Sequence, residues 1–134
     1  MKNFDSRYFT KFEFTKEQVE KHFVNASKDL NIAKVDKILE VKFNYTYNAF
    51  IKAGIALLSF YKIKARSTPG HHVKLIEEIA EILKDNTIEE VGNIMRQKRN
   101  LDFYGGGAEV TEKECKEYLS FVEKIFKRIK SIIS

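Results

Sequence analysis

From Lys16 onward the apolar positions recur with the spacing of helices. Val19, Phe23, Ala26, Leu30 and Ala33 follow one another at alternating steps of four and three, the stripe of a helix that packs on one side only. From about Ile38 to Ile63 the stripe widens. Phe43, Tyr45, Tyr47, Ala49, Phe50, Ile51, Ala53, Ile55, Ala56, Leu57, Leu58 and Phe60 wrap nearly the whole circumference, which predicts a helix in the middle of a bundle or in an oligomer interface. A third helix carries Val73, Ile76, Ile79, Ala80 and Leu83, and a fourth Ile88, Val91 and Met95. A fifth runs from Glu112 with Tyr118, Val122, Ile125, Ile129 and Ile132 inward and Lys116, Lys124, Lys127, Arg128 and Lys130 outward or flanking.

Local chemistry punctuates this pattern. Thr15-x-x-Gln18, Thr87-x-x-Glu90 and Thr111-x-x-Glu114 have the spacing of capping boxes, in which a hydroxyl and an acidic or amide side chain satisfy the first free amides of a helix. Phe14 and Val19 add a hydrophobic staple to the first. Thr68 with Pro69 at the first helical position predicts the third helix start, and Gly105-Gly106-Gly107 must stop the fourth. Short connections between long helices favour antiparallel neighbours, so the fold class is all-α: an up-and-down bundle of four main helices plus a shorter one. Residues 1–14 form an aromatic arm, with Phe4, Tyr8, Phe9, Phe12 and Phe14. It is too apolar to float free and is expected to pack on the bundle or on a second subunit. Residues 15–134 form a single domain, since 134 residues suffice for one core.

Composition narrows the class. With 43% apolar and 32% charged residues the chain is a folded protein rather than a disordered one. The longest apolar stretch, AGIALLSF at Ala53–Phe60, lies between Lys52 and Lys62 and is far shorter than the ~20 residues of a membrane span, so no membrane association is expected. Asp5 and Glu13 interrupt the first residues, unlike a secretory signal. Cys115 is the single cysteine, which excludes a disulfide framework and suits a reducing, cytoplasmic setting. A net charge of +5 is compatible with a nucleic-acid or acidic partner, although Lys-rich solvated faces also produce it.

The segment RQKRNLDFYGGG, Arg96 to Gly107, is the part that packing leaves unexplained. Arg96, Lys98 and Arg99 place three cations within four residues, followed by Asn100, Asp102 and Tyr104. Arg96, Asn100 and Tyr104 share one drifting stripe at i+4 steps, and Arg99 and Asp102 are i,i+3 neighbours. Arg offers a planar fork of donors and Tyr a neutral donor or stacking surface, so the group can address an anion such as a phosphate. The bland alternative is an exposed Arg99–Asp102 pair worth at most ~1 kcal/mol, with Tyr104 covering the helix end. His71 and His72 point about 100° apart on a helix and suit capping, loop packing or a polar contact better than joint metal ligation. With no phosphate loop, zinc spacing, nucleophile elbow or carboxylate pair in the chain, no cofactor or metal is expected.

The run Arg99-Asn100-Leu101-Asp102-Phe103-Tyr104 near the end of the penultimate helix, the central FNYTYNAFIKAGIALL and the PGHHVKLIEEI entry together resemble the HEPN superfamily of bacterial and archaeal helical domains. The likeness spans roughly Thr15 to Ile129. It implies a HEPN-like bundle for residues 15–134 and a homodimer in which two copies of an Arg-Asn-x3-His signature meet as a metal-independent ribonuclease site. Arg99 and Asn100 match that signature, whereas Tyr104 holds the His position. A phenol titrates near 10 and imidazole near 6.5, so proton exchange at neutral pH is weakened. The resemblance therefore implies binding of RNA, or of a nucleotide or nucleotidyltransferase partner as in toxin–antitoxin pairs, with weak or no nuclease activity. The candidate catalytic set is Arg99, Asn100 and Tyr104, and the candidate anion-binding set is Arg96, Lys98, Arg99 and Asp102. An active toxin-type ribonuclease, in which Tyr104 or a His from elsewhere assists proton transfer, and a purely protein-binding subunit, are the alternatives.

Overall fold

The computed structural model describes residues 4–107 and 109–134, the side chains of residues 102–104 excepted. Five helices form the body: α1 (Lys16–Val35), α2 (Leu39–Phe60), α3 (His71–Ile82), α4 (Asn86–Tyr104) and α5 (Glu112–Ile133). Two strands of three residues, β1 (Phe9–Lys11) and β2 (Ile63–Ala65), pair antiparallel with Thr10 opposite Lys64. The helical bundle is as expected, and the small sheet is an addition to it. β1 belongs to the aromatic arm, which packs on the bundle of its own chain: Phe9 is buried and Phe4 and Tyr8 lie against the core.

Two of the expected capping boxes close as drawn. Thr15 Oγ1 accepts from the Gln18 amide at 3.1 Å while Gln18 Oε1 accepts from the Thr15 amide at 2.8 Å, and Thr111 and Glu114 do the same at 3.0 Å each way. Two other starts differ. At α4 the cap is Asp85, whose Oδ1 accepts from the Thr87 amide at 3.0 Å; Arg128 of α5 donates to the other carboxylate oxygen at 3.2 Å and to the Leu83 carbonyl, so a tertiary contact selects Asp85 over Thr87. At α3, Thr68-Pro69-Gly70-His71 forms a turn instead of a first helical turn. The Thr68 carbonyl accepts from the His71 amide at 3.1 Å, and Gly70 at φ 80°, ψ 6° has the dihedrals that a type II turn reserves for glycine after proline. The helix stop holds: the Gly105 and Gly107 amides both donate to the Leu101 carbonyl, at 3.0 and 3.1 Å.

α2 is the hub. Phe43, Tyr47, Phe50, Leu57 and Leu58 are buried, and α1, α3 and α5 of the same chain cover it. α1 and α2 are antiparallel, and Lys42 in the first turn of α2 donates to the Ala33 and Lys34 carbonyls at 2.6 and 3.2 Å, which caps the end of α1. The strict up-and-down order is broken between α2 and α3. Tyr47 meets His72 and Gly54 meets Ile79, so these helices run in the same direction. The return is made by residues 61–70, stretched out in part as β2, which is why the connection is a strand and not a tight turn. α4 then runs back along α3, with Gly92 beside Ile76. The parallel step brings the first turn of α3 against the last turns of α4.

Candidate functional site

Arg96, Arg99 and Asn100 of α4 line one wall of a cleft of about 490 Å³, and the turn at residues 67–70 with His71 and His72 lines the other. Arg96 is braced by its own helix, its Nε donating to Asn93 Oδ1 at 3.2 Å. The Arg99 guanidinium lies 5.7 Å from the centre of the Tyr47 ring, a cation–π distance. Tyr47 is fully buried, and its hydroxyl is 2.9 Å from His72 Nδ1, the polar partner that a buried phenol requires.

Burial and charge set the protonation states. Burial pushes the Tyr47 phenol up to about 12, with Arg99 and Arg96 pulling the other way. Burial, with the positive surroundings of His71, Arg99 and Arg96, holds His72 down to about 4. Both groups are neutral at pH 7. His71 is fixed by geometry: its Nδ1 is 2.9 Å from the Thr68 carbonyl oxygen, which can only accept, so Nδ1 is the donor of that bond. Sequence reasoning placed both His residues in capping or polar contacts, and they make them. It did not place them opposite the arginines.

Of the residues singled out in the sequence, Arg96, Arg99 and Asn100 come together. Lys98 does not join them. It turns toward α5, where its Nζ donates to Glu114 Oε2 at 3.1 Å and to the Glu109 carbonyl at 3.2 Å. The Thr111 amide, and after it Lys98, holds the Glu114 carboxyl below its usual range. The side chains of Asp102 and Tyr104 lie outside the described residues. Tyr47, read from the sequence as core alone, is the member that was missed; its hydroxyl on an otherwise apolar helix was the available signal. Among the described residues no group of three or more His, Cys, Asp or Glu is placed to hold a metal ion, and no helix is long and apolar enough to cross a membrane.

The neutrality of His72 carries a stability consequence. Its pKa is about 6.5 unfolded and about 4 folded, so the unfolded chain takes up the proton first as pH falls. The contribution is complete above pH ~6.5 and is lost between ~6.5 and ~4, on the order of 1–2 kcal/mol once partial exposure of the ring is discounted. Urea midpoints should therefore drop more between pH 7 and pH 4.5 in the native chain than in His72→Gln. Equal drops would show that His72 is not the group responsible.

Compared with protein-family models, curated proteins and solved structures, the chain matches none.

Proposed function

We propose that the chain is a HEPN-like homodimeric domain whose α3–α4 cleft holds a phosphate of an RNA strand or of a nucleotide, with weak or no nuclease activity of its own. The observation that carries this reading is the convergence of Arg96, Arg99 and Asn100 on a cleft lined by polar groups from a second helix. Guanidiniums supply the charge and the paired donors that phosphate oxygens take up. The apolar surface open to a second copy is on α4. α2 is covered within its own chain, whereas Ile94 and Leu101, seven residues apart on α4, remain 50% and 54% exposed on the helix that carries the arginines.

Affinity for single-stranded RNA, measured against salt, tests the reading. Each phosphate contacted contributes a slope of about −0.7 in log affinity against log salt, so two engaged arginines set about −1.4 or steeper. Salt-insensitive affinity for a protein such as a nucleotidyltransferase, with no RNA binding, would replace this reading with that of a protein-binding subunit. Sedimentation as a monomer at high concentration would remove the homodimer.

A second reading, an active metal-independent ribonuclease, is favoured by one observation, the anchoring of His71 Nδ1 on the Thr68 carbonyl in a wall of the same cleft as Arg99, which makes Nε2 the acceptor of the neutral tautomer. Such an imidazole can accept the proton of a ribose 2′-hydroxyl as its oxygen attacks phosphorus and the bond to the 5′-oxygen breaks, the leaving oxygen taking a proton from water. Cleavage in the presence of a chelator, lost in both His71→Asn and Arg99→Ala while RNA binding survives in the former, selects it.

A further inference from the structure

The two-stranded ribbon has one face on the core and one in solvent. Phe9 and Ile63, both 2% exposed, point inward, and by the alternation of strands their neighbours point outward. Within the strands these neighbours are Thr10 and Lys64; of the flanking residues Phe12, Lys62 and Arg66 are exposed, while Tyr8 is half-buried against the core at the edge of this face. The register interleaves them: Thr10 is opposite Lys64, the Phe12 amide donates to the Lys62 carbonyl at 3.0 Å, and the Arg66 amide donates to the Tyr8 carbonyl at 2.7 Å. Lys64 Nζ stands 5.1 Å from the centre of the Phe12 ring, and Arg7 and Lys74 flank Tyr8 at 5.6 and 5.7 Å. Phe12 remains 41% exposed.

Nearby carboxylates offset only part of this charge. Asp5 pairs with Arg7, Glu13 with Lys62 and Glu77 with Lys74, while Lys64 and Arg66 have no ion pair among the described residues. Arg66 is followed directly by Ser67 and Thr68, which belong to the wall of the α3–α4 cleft. Aromatic faces set among cations, continuous with the arginine-lined cleft, have the composition of a surface that binds single strands by stacking bases and neutralising backbone.

We infer that the outer face of the β1–β2 ribbon is a track for single-stranded RNA, carrying the nucleotides that flank the phosphate held in the cleft, with Phe12 stacking on a base. This inference rests on the phosphate-binding reading of the cleft and extends it to a strand of several nucleotides.

The chain contains no Trp, so Phe12→Trp introduces a single indole whose emission reports on that position alone. A twelve-nucleotide single-stranded RNA should quench it, whereas a dinucleotide, long enough for the cleft only, should not. The exposed pair Lys64→Glu/Arg66→Glu should weaken the twelve-mer by about tenfold or more, the scale of one lost stacking or backbone contact, and leave the dinucleotide unchanged. Arg99→Ala should weaken both. If the ribbon variants leave twelve-mer affinity intact while Arg99→Ala lowers it, the track is wrong and the cleft reading stands. If the dinucleotide weakens as much as the twelve-mer, or the indole is not quenched, the ribbon acts as a general field and not as a track. If native protein binds neither RNA at low salt, the cleft reading and the track fall together.

Discussion

Gly54→Ala should lower the unfolding free energy by about 1–3 kcal/mol, even though Ala is the better helix former by about 1 kcal/mol. A Cβ at this position would stand 2.3 Å from Ile79 Cδ1 and 2.8 Å from its Cγ1, and Ile79 is fully buried, so it has no solvent to swing into. Ile79→Ala alone should cost about 2–5 kcal/mol for the cavity it leaves. Combined, the two changes should cost less than their sum by at least about 1 kcal/mol, because the new methyl enters the space that the old side chain vacated. Urea denaturation of the four proteins measures this, and additivity within about 0.5 kcal/mol would show that the close approach of α2 and α3 is not what requires glycine. The position matters for the site as well. Gly54 and Ile79 lie seven residues beyond Tyr47 and His72 on the same two helices, so the contact that brings α2 and α3 together also sets the 2.9 Å approach of the Tyr47 hydroxyl to His72.

That coupling explains what was legible in the sequence. The capping boxes at Thr15 and Thr111 were readable because each closes within four residues and needs nothing from the rest of the chain. Asp85 and Thr87 are both good caps, and the choice between them is made by Arg128, forty-three residues away. Thr68-Pro69-Gly70 satisfies two local grammars, helix start and type II turn, and the chain path from α2 decides for the turn. β1 and β2 were invisible because three residues cannot display a period, and each exists only through the other. The apolar circumference of α2 marked it for the middle of a bundle or for an oligomer interface, and its covering comes from within the chain. At the site, the cluster of Arg96, Arg99 and Asn100 stood out as unusual chemistry in a run of helix. Its opposite wall did not, because only the parallel arrangement of α2 and α3 brings His71 and His72 to it. Lys98 was grouped with the arginines by sequence proximity, and its partner Glu114 is on another helix.

Arg99→Ala should weaken binding of single-stranded RNA by about 10- to 100-fold, the range of about 1.5–3 kcal/mol for hydrogen bonds to a charged group. The salt slope should become shallower by about 0.7, one phosphate contact in a single strand. Arg99→Lys separates the two parts of that loss. It keeps the charge, and with it the salt slope, but replaces a planar fork with a point charge, so affinity should remain about tenfold below native. Arg99 also packs over Tyr47 at 5.7 Å, and losing a cation–π contact costs about 0.5–2 kcal/mol of stability, so binding must be compared at a temperature where the variants remain folded. Lys98→Ala is the control. Its ammonium is held by Glu114 on the side of α4 that faces α5, so it should leave RNA affinity and slope near native. Arg99→Ala binding RNA as tightly as the native chain, while folded, would assign the guanidinium to the Tyr47 ring alone. Lys98→Ala weakening RNA as much as Arg99→Ala would mean that RNA senses the net charge of the helix and not the cleft. Only the ordered result, a large loss for Arg99→Ala, a partial recovery for Arg99→Lys and none lost for Lys98→Ala, follows from a phosphate seated between α3 and α4.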